Sequence, residues 1–533
     1  MPRIRSHAAW ASCCTVGRLV SCMLRHPTAV GWLLVIALLA MSGFSDAAAG
    51  DRPNILFLLA DDQRADTIAA HGNPRIDTPH LDGLVRRGFS FRNNYCMGST
   101  HGAVCQPSRA MLLSGRSLFR APQDLADTVT FPQRFRQAGY ECFVTGKWHN
   151  GAASLAASFE HGKAIFLGGM SDHTRVPVAD LSEGELRNER TGDRFSSELF
   201  ADAAMEFLRT RDRSRPFLAY VSFTAPHDPR QPPVAYRQRY YDRHLPLPGN
   251  FLPQHPFFNG WMTGRDEQLA PWPRTEVVIR DQLAEYYGMI THLDEQIGRI
   301  LATLAETGEL ERTWIVYTAD HGLALGSHGL LGKQSLYEHS MSCPLVVAGP
   351  GVPAGGQSQA LTYLLDLYPT LCEVAGVPVE ETESSAGQAI EGHSLRPLWT
   401  GESTTVRDSL YTTYERSMRA VRDARWKLIR YPHIHFTQLF DLQADPLERT
   451  NLAEQPQHAG EIERLMALLA RWQQQVGDQQ PLSDPQPIER AIDLTNQPRT
   501  PDAWQPEWIR QKYFRERGRP GRTSSTQHAT PTR

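Results

Sequence analysis

The chain has 533 residues, 41% hydrophobic and 21% charged, with 55 Lys+Arg against 58 Asp+Glu and a net charge of −3. That length suits one large domain with a smaller one rather than a single small fold. The near-balance of charge excludes a global field for nucleic acid or an anionic membrane, so any anionic ligand must be held by local cations.

The first segment reads as an export signal. Arg18, Arg25 and His26 precede an apolar run over 29–41, and the small residues Ala47 and Ala49 follow at a spacing that suits signal peptidase. The run is short for a membrane span, which needs roughly 18 or more apolar residues. Residues 1–49 are therefore expected to be a cleaved signal peptide, leaving no stable membrane span. The protein is expected to be exported, periplasmic or extracellular in a bacterial envelope. The sequence has no Asn-x-Ser/Thr acceptor, which agrees with that address. Past the leader remain Cys96, Cys105, Cys142, Cys343 and Cys372. They form an odd set whose spacing matches neither a disulfide framework nor a CxxC metal site.

Short apolar runs at 54–61, 140–146, 216–227, 313–322 and 343–351 read as buried strands, β-branched or aromatic and closed by polar residues or glycine. Helical patterns lie between them. One starts at Thr78 as N-cap, with Pro79 first in the helix and Gly88 as stop. Residues 195–209 are amphipathic. So are 279–308, where Leu283, Tyr287, Ile290, Leu293, Ile297, Leu301 and Leu304 share a face. Alternating strands and helices predict an α/β domain over 50–404, with a large, mostly parallel but mixed sheet flanked by helices. Within it, 228–275 is rich in Pro, Arg and aromatics with little periodicity, and reads as a long loop excursion beside a cleft. Residues 405–478 read as a smaller α+β subdomain, short antiparallel strands closed by a helix over 458–476. Residues 479–533 read as an extended, partly disordered tail, with Trp504 and Trp508 docking part of it.

In an open parallel sheet, ligands bind beyond the carboxyl ends of the strands. The first strand ends in Asp61-Asp62, the second in Gly146-Lys147-Trp148-His149, the third in Pro226-His227-Asp228. The fourth ends in Asp320-His321-Gly322, with Lys333 a short loop later. Each group alone has a plain reading: an Asp pair suits a turn or cap, and a lone lysine is usually a solvated charge. Four strand ends carrying such groups together point to a carboxylate-bound cation and an anion held by that cation and the lysines.

The string Cys105-Gln106-Pro107-Ser108-Arg109, continuing through Leu112-Leu113 to Gly115-Arg116, resembles the signature of the type I sulfatases of the alkaline-phosphatase-like superfamily. The resemblance extends in order through the segments at 53–63, 78–84, 139–149, 225–230, 318–333 and 343–351. In that family the cysteine is oxidised by a maturation enzyme to formylglycine. The resemblance implies that Cys105 is that residue and that the formylglycine-generating enzyme is a partner. It further implies a divalent cation, calcium in most relatives, bound by Asp61, Asp62, residue 105, Asp320 and His321. Lys147, Lys333 and the metal would then balance charge on the sulfuryl group, and Arg109 would supply a fixed cation for the aldehyde hydrate or the metal-bound oxygens. His227 or Lys333 would protonate the leaving oxygen, and His149 would take the proton that releases sulfate. Many relatives carry Asn where this chain has His321. An imidazole is a softer donor than an amide oxygen, which leaves open the metal's identity and a supporting role for His321.

The resemblance implies a sulfate-ester hydrolase, most simply one acting on a sulfated polysaccharide or oligosaccharide. Substrate contacts are expected from loop residues His101, Asp172, His173, Arg175, Asp228 and Arg230, each of which also reads as a plain loop residue. A phosphonate or phosphate ester hydrolase of the same superfamily is the near alternative. A sulfated-glycan-binding protein with unconverted Cys105 is the distant one. A thiol hydrolase using Cys105 leaves the Asp pair and lysines without a role.

Overall fold

A computed structural model describes residues 52–379, 389–494, 497 and 505–514. The expected signal peptide, Trp504 and the end of the expected tail lie outside that range. The described residues from Pro53 onward form one compact unit. No helix among the described residues is long and apolar enough to cross a membrane.

The strands of the large sheet are β1 Asn54–Ala60, β2 Phe89–Tyr95, β4 Glu141–Lys147, β5 His161–Phe166, β6 Pro177–Ser182, β7 Glu185–Thr191, β8 Phe217–Ser222, β9 Thr313–Ala319, β10 Ser342–Cys343, β11 Leu345–Ala348 and β12 Gly356–Tyr363. They run in the order β10-β2-β11-β9-β1-β8-β4-β5-β6-β7, with β12 beside β2. The centre is parallel: β1 pairs with β8 and β9, and β4 pairs with β8 and β5. Antiparallel pairing begins at β11 on one side and at β6 on the other. The sheet is thus mixed, as expected. Every residue of β1, β4, β8 and β9 is buried, because helices cover both faces.

The long amphipathic helix spans Glu276–Glu306 and packs its apolar stripe against the sheet. The shorter one spans Ser196–Thr210. At the helix Pro79–Arg87, Thr78 occupies the N-cap position but its hydroxyl does not cap. The Asp294 carboxylate, from the long helix, instead accepts from the N–H groups of His80 and Leu81. The 228–275 excursion contains a helix at Val234–Asp242 and a short 3-10 turn at Arg265–Leu269, so it is more ordered than its pattern suggests.

A second sheet joins β3 Gly98–Ser99, β13 Leu410–Tyr414, β14 Met418–Arg422, β15 Trp426–Tyr431 and β16 Phe436–Asp441, in the order β16-β15-β14-β13-β3. The helix Ala459–Val476 packs on it through Leu465 and Leu469. β3 belongs to the segment just before Cys105, so this sheet is tied directly to the strand ends of the large one. One apolar core runs through both sheets. In the tail, the Trp508 ring packs edge-on against Tyr241.

Candidate active site

Parallel pairing brings the carboxyl ends of β1, β4, β8 and β9 to one edge, where the predicted residues meet. Asp61 and Asp62 follow β1, and the Asp62 N–H donates to Asp320 Oδ1 at 3.0 Å. Asp62 holds a left-handed backbone, with φ 65°, and Tyr286 OH donates to its carbonyl at 2.6 Å. Such strain in a non-glycine residue, of order 1–3 kcal/mol, persists where the surroundings impose it. At the end of β4, Gly146 has φ +89°, and a Cβ there would sit 1.8 Å from the Ser222 carbonyl oxygen. That close approach lets β4 deliver Lys147 beside β8.

Cys105 opens the helix Cys105–Ser114. Its Sγ lies 3.1 Å from His321 Nε2, 3.3 Å from Lys333 Nζ and 3.6 Å from Asp62 Oδ1. Four residues on, the fully buried Arg109 donates from Nε to Asp320 Oδ2 at 3.0 Å. Its Nη1 donates to Ser222 Oγ at 2.6 Å and to the Lys147 carbonyl at 3.0 Å. Ser108 Oγ donates to the Asp320 carbonyl at 2.6 Å. The helix is therefore bolted to the ends of β4, β8 and β9.

Charge in this buried space is compensated pairwise. Lys147 Nζ is 2.6 Å from Asp61 Oδ2, and Lys333 Nζ is 2.9 Å from Asp62 Oδ2. Burial pushes the Asp61 carboxyl up to about 8 against the pull of Lys147. Burial also opposes charge on Asp62, but His227, Lys333 and His321 outweigh it and hold that carboxyl well below its usual range. Cys105 behaves likewise: burial resists ionisation, and Lys147 and Lys333 overcome it, so the thiol lies well below its ordinary value. Burial disfavours charge on His227, yet the facing Asp62 raises it to about 9. Burial and neighbouring Lys147 push His149 down to about 2, leaving a neutral imidazole.

The ligand atoms of Asp61, Asp62, Cys105 and His321 all lie within 4.8 Å of one another. Asp61 Oδ1 is buried with no hydrogen-bond partner. His321 Nδ1 is 2.9 Å from the Gly322 carbonyl, to which its N–H can donate, and its Nε2 stands 2.9 Å from Asp62 Oδ1. Against burial, the nearby carboxylates therefore hold the ring protonated above its usual range, and a cation would bind by displacing the Nε2 proton. Asp320 stands beside this group, with Oδ1 3.7 Å from His321 Nε2. Two buried carboxylates, a carboxylate oxygen that accepts no hydrogen bond and faces Arg109 Nη2 at 3.5 Å, and an imidazole nitrogen able to exchange its proton for a metal fit a divalent cation.

The loop candidates divide. His173 is 2% exposed, and both its ring nitrogens are engaged. Nε2 meets the His227 carbonyl at 2.9 Å, and Nδ1 meets Ser196 Oγ at 2.9 Å. That corrects its reading as a substrate contact, because it has no free polar atom and instead supports His227. Asp172 accepts from Thr174 N and Gln231 Nε2, and Arg175 is exposed. His101 pairs through Nε2 with Gln123. Asp228 faces His227 Nδ1 at 3.4 Å through Oδ1 and takes Arg265 on Oδ2. Arg230 is buried beside Gln282.

Several site residues escaped the sequence reading. Asp266 Oδ2 lies 3.9 Å from Lys333 Nζ and accepts from Gln334 Nε2 at 2.7 Å. The Glu267 carboxylate accepts from Leu331 N and Gly332 N at 3.0 and 2.8 Å and pairs with Arg274, so the excursion shapes the loop that carries Lys333. The only local signal was the charged triplet Arg265-Asp266-Glu267 inside an aperiodic stretch.

The sequence matches the Sulfatase family over residues 53–377 and the family described as N-sulphoglucosamine sulphohydrolase, C-terminal, over 326–475. It is 27% identical over 540 residues to an N-acetylglucosamine-6-O-sulfatase of Bacteroides thetaiotaomicron, covering 87% of this chain and 93% of that one. It is 30% identical over 441 residues to a choline-sulfatase of Rhizobium meliloti, covering 76% and 83%. A solved structure in complex with its substrate D-glucosamine-2-N,6-O-disulfate superposes with TM-score 0.67 at 24% identity, covering 81% of this chain and 99% of that one. The fold is alkaline-phosphatase-like, and the chain is a sulfuric ester hydrolase. The chain belongs to the sulfatase family.

Proposed function

We propose that this chain is an exported sulfatase that removes sulfate from sulfated carbohydrate, with residue 105 acting as formylglycine beside a bound divalent cation. The observation that carries the reading is the convergence of Lys333 Nζ, His321 Nε2 and Asp62 Oδ1 within 3.6 Å of Cys105 Sγ at the start of a helix. Asp61, Asp62, Asp320 and His321 would hold the cation, which supplies Lewis-acid polarisation of an ester oxygen and charge neutralisation when bound. Formylglycine, once formed by the maturation enzyme, supplies a hydroxyl nucleophile in place of the thiol.

The chain's own groups do the rest. Lys147 and Lys333 hold negative charge on the sulfuryl oxygens, and Arg109 keeps Asp320 and β4 in register with the helix. His227 Nε2, 3.0 Å from Lys333 Nζ, is placed to give a proton to the departing alcohol oxygen. His149, just past β4 with its Nδ1 buried and without a hydrogen-bond partner, is the group that takes one. The carbohydrate reading draws support from relatives whose printed activities are on sulfated glucosamines.

Two measurements on protein purified from its native host test this. The first is the mass of the tryptic peptide carrying Cys105, where an aldehyde should replace the thiol. The second is sulfate release from N-acetylglucosamine-6-sulfate, choline sulfate, 4-nitrophenyl sulfate and a phosphodiester, with and without chelator. An intact thiol in folded native protein with no turnover would overturn the mechanism. Choline sulfate as best substrate would overturn the carbohydrate assignment alone, and the phosphodiester as best substrate would replace sulfate-ester hydrolysis with the phosphate-ester alternative.

A further inference from the structure

Arg230 lies three residues beyond His227 and is 4% exposed. Its Nη1 donates to Gln282 Oε1 at 2.6 Å, and its Nε and Nη2 have no hydrogen-bond partner. Those two atoms form one side of the guanidinium fork, where two parallel N–H groups match the spacing of a carboxylate or sulfate. Gln282 occupies the other side and fixes the plane. A buried charged donor left unpaired bears its full desolvation cost, so this edge calls for an acceptor.

The carboxylates nearby are committed elsewhere. Asp228 Oδ2 takes Arg265, and its Oδ1 faces His227. Asp266 Oδ1 takes Arg265 at 3.0 Å, and its Oδ2 takes Gln334. Asp62 takes Lys333 and His321. Gln282 stands one helical turn before Tyr286, whose hydroxyl donates to the Asp62 carbonyl at 2.6 Å, so Arg230 lies beside the groups that surround Cys105 rather than on a remote surface.

We propose that Arg230 reads a second anionic group, a sulfate or carboxylate, carried by the substrate beside the scissile sulfate. Where that substrate is a sugar, the inference rests on the carbohydrate reading above. It makes the preferred substrate doubly acidic, with the reacting sulfate over residue 105 and its neighbour on the Nε/Nη2 edge.

Two substrate pairs test it by comparing kcat/KM within each pair. One pair is 4-nitrophenyl sulfate and its 2-carboxy derivative. The other is N-acetylglucosamine-6-sulfate and glucosamine-2-N,6-O-disulfate. The wild-type enzyme should prefer the doubly anionic member, and Arg230→Gln should cut that preference by ~10- to 100-fold, the scale of a charge-assisted hydrogen-bond pair. Arg230→Lys keeps the charge but loses the two-donor edge, so its preference should fall between the two. It also serves as the test if the Gln variant does not fold. Identical preference ratios in wild-type and variant enzymes would overturn the proposal and leave water as the acceptor. If aryl sulfates turn over and neither sugar does, the carbohydrate reading fails, and the aryl pair still decides the role of Arg230.

Discussion

Replacing Gly146 with alanine tests whether the site depends on the close approach of β4 to β8. Gly146 pairs with Ser222 across the two strands and immediately precedes Lys147. With φ +89°, an added Cβ meets the Ser222 carbonyl oxygen at 1.8 Å, whereas real Cβ atoms essentially never come within 3.0 Å of a neighbour. The strands must therefore part by more than an ångström at the point where β4 delivers Lys147 to Asp61 and β8 delivers Ser222 to Arg109. The left-handed backbone adds roughly 1–2 kcal/mol for any L side chain. A misplacement near 1 Å of groups that must meet a reacting centre costs on the order of 100-fold in rate. Gly146→Ala is expected to lose about that much kcat/KM on 4-nitrophenyl sulfate and to unfold at lower urea concentration than wild type. The assay is steady-state kinetics on the folded fraction, with denaturation followed by circular dichroism. A variant with kcat/KM within about twofold of wild type and an unchanged midpoint would refute the claim that this contact sets the geometry.

Chelation should abolish turnover. Adding back a divalent cation at ~100 times its dissociation constant should raise stability by about 2.7 kcal/mol, read as a rise in melting temperature. His321→Asn substitutes an amide oxygen for the imidazole and should move the order of metal preference toward calcium, measured by reconstituting the chelated protein with calcium, zinc and manganese. His173→Phe keeps the stack on Phe195 but removes the hydrogen bonds to His227 and Ser196. It should lower kcat more than it raises KM, by about tenfold, the scale of one lost buried hydrogen bond; equal parameters would show that His227 needs no such support. Burial raises Glu285 from 4.5 to about 7, one of its oxygens being unpartnered. Between those values the folded chain keeps a proton that the unfolded chain releases, so stability falls as pH rises, by up to about 1.4 kcal/mol per pH unit. Glu285→Gln should flatten that slope in denaturant midpoints measured from pH 4.5 to 7.

Much of the site was legible from local grammar. The Cys105–Arg109 string, the Asp pair and the Asp-His-Gly turn each sit where a short apolar run stops, and a run of that kind reports a buried strand without reference to the rest of the chain. Period and caps also placed the helices over 196–210 and 276–306 to within a few residues. The exceptions share one cause. Thr78 looked like a helix cap, but Asp294, more than two hundred residues away, does the capping. His173 looked like a polar loop residue able to meet substrate, and the packing of Ser196 and the His227 backbone around it made it a buried support.

Local sequence is enough to pick out the residue types that can do the chemistry and the strand ends that carry them, because a strand's pattern and its terminating residues are adjacent in the chain. The tertiary structure decided which of those residues share one pocket. It brought Asp266 and Glu267 out of an aperiodic excursion to the Lys333 loop, tied the second sheet to the segment before Cys105 through β3, and left one edge of Arg230 open. Such pairings join positions tens to hundreds of residues apart, and no local periodicity encodes a partner at that distance. They arise only when burial forces each polar group to find the acceptor that the folded neighbours leave to it.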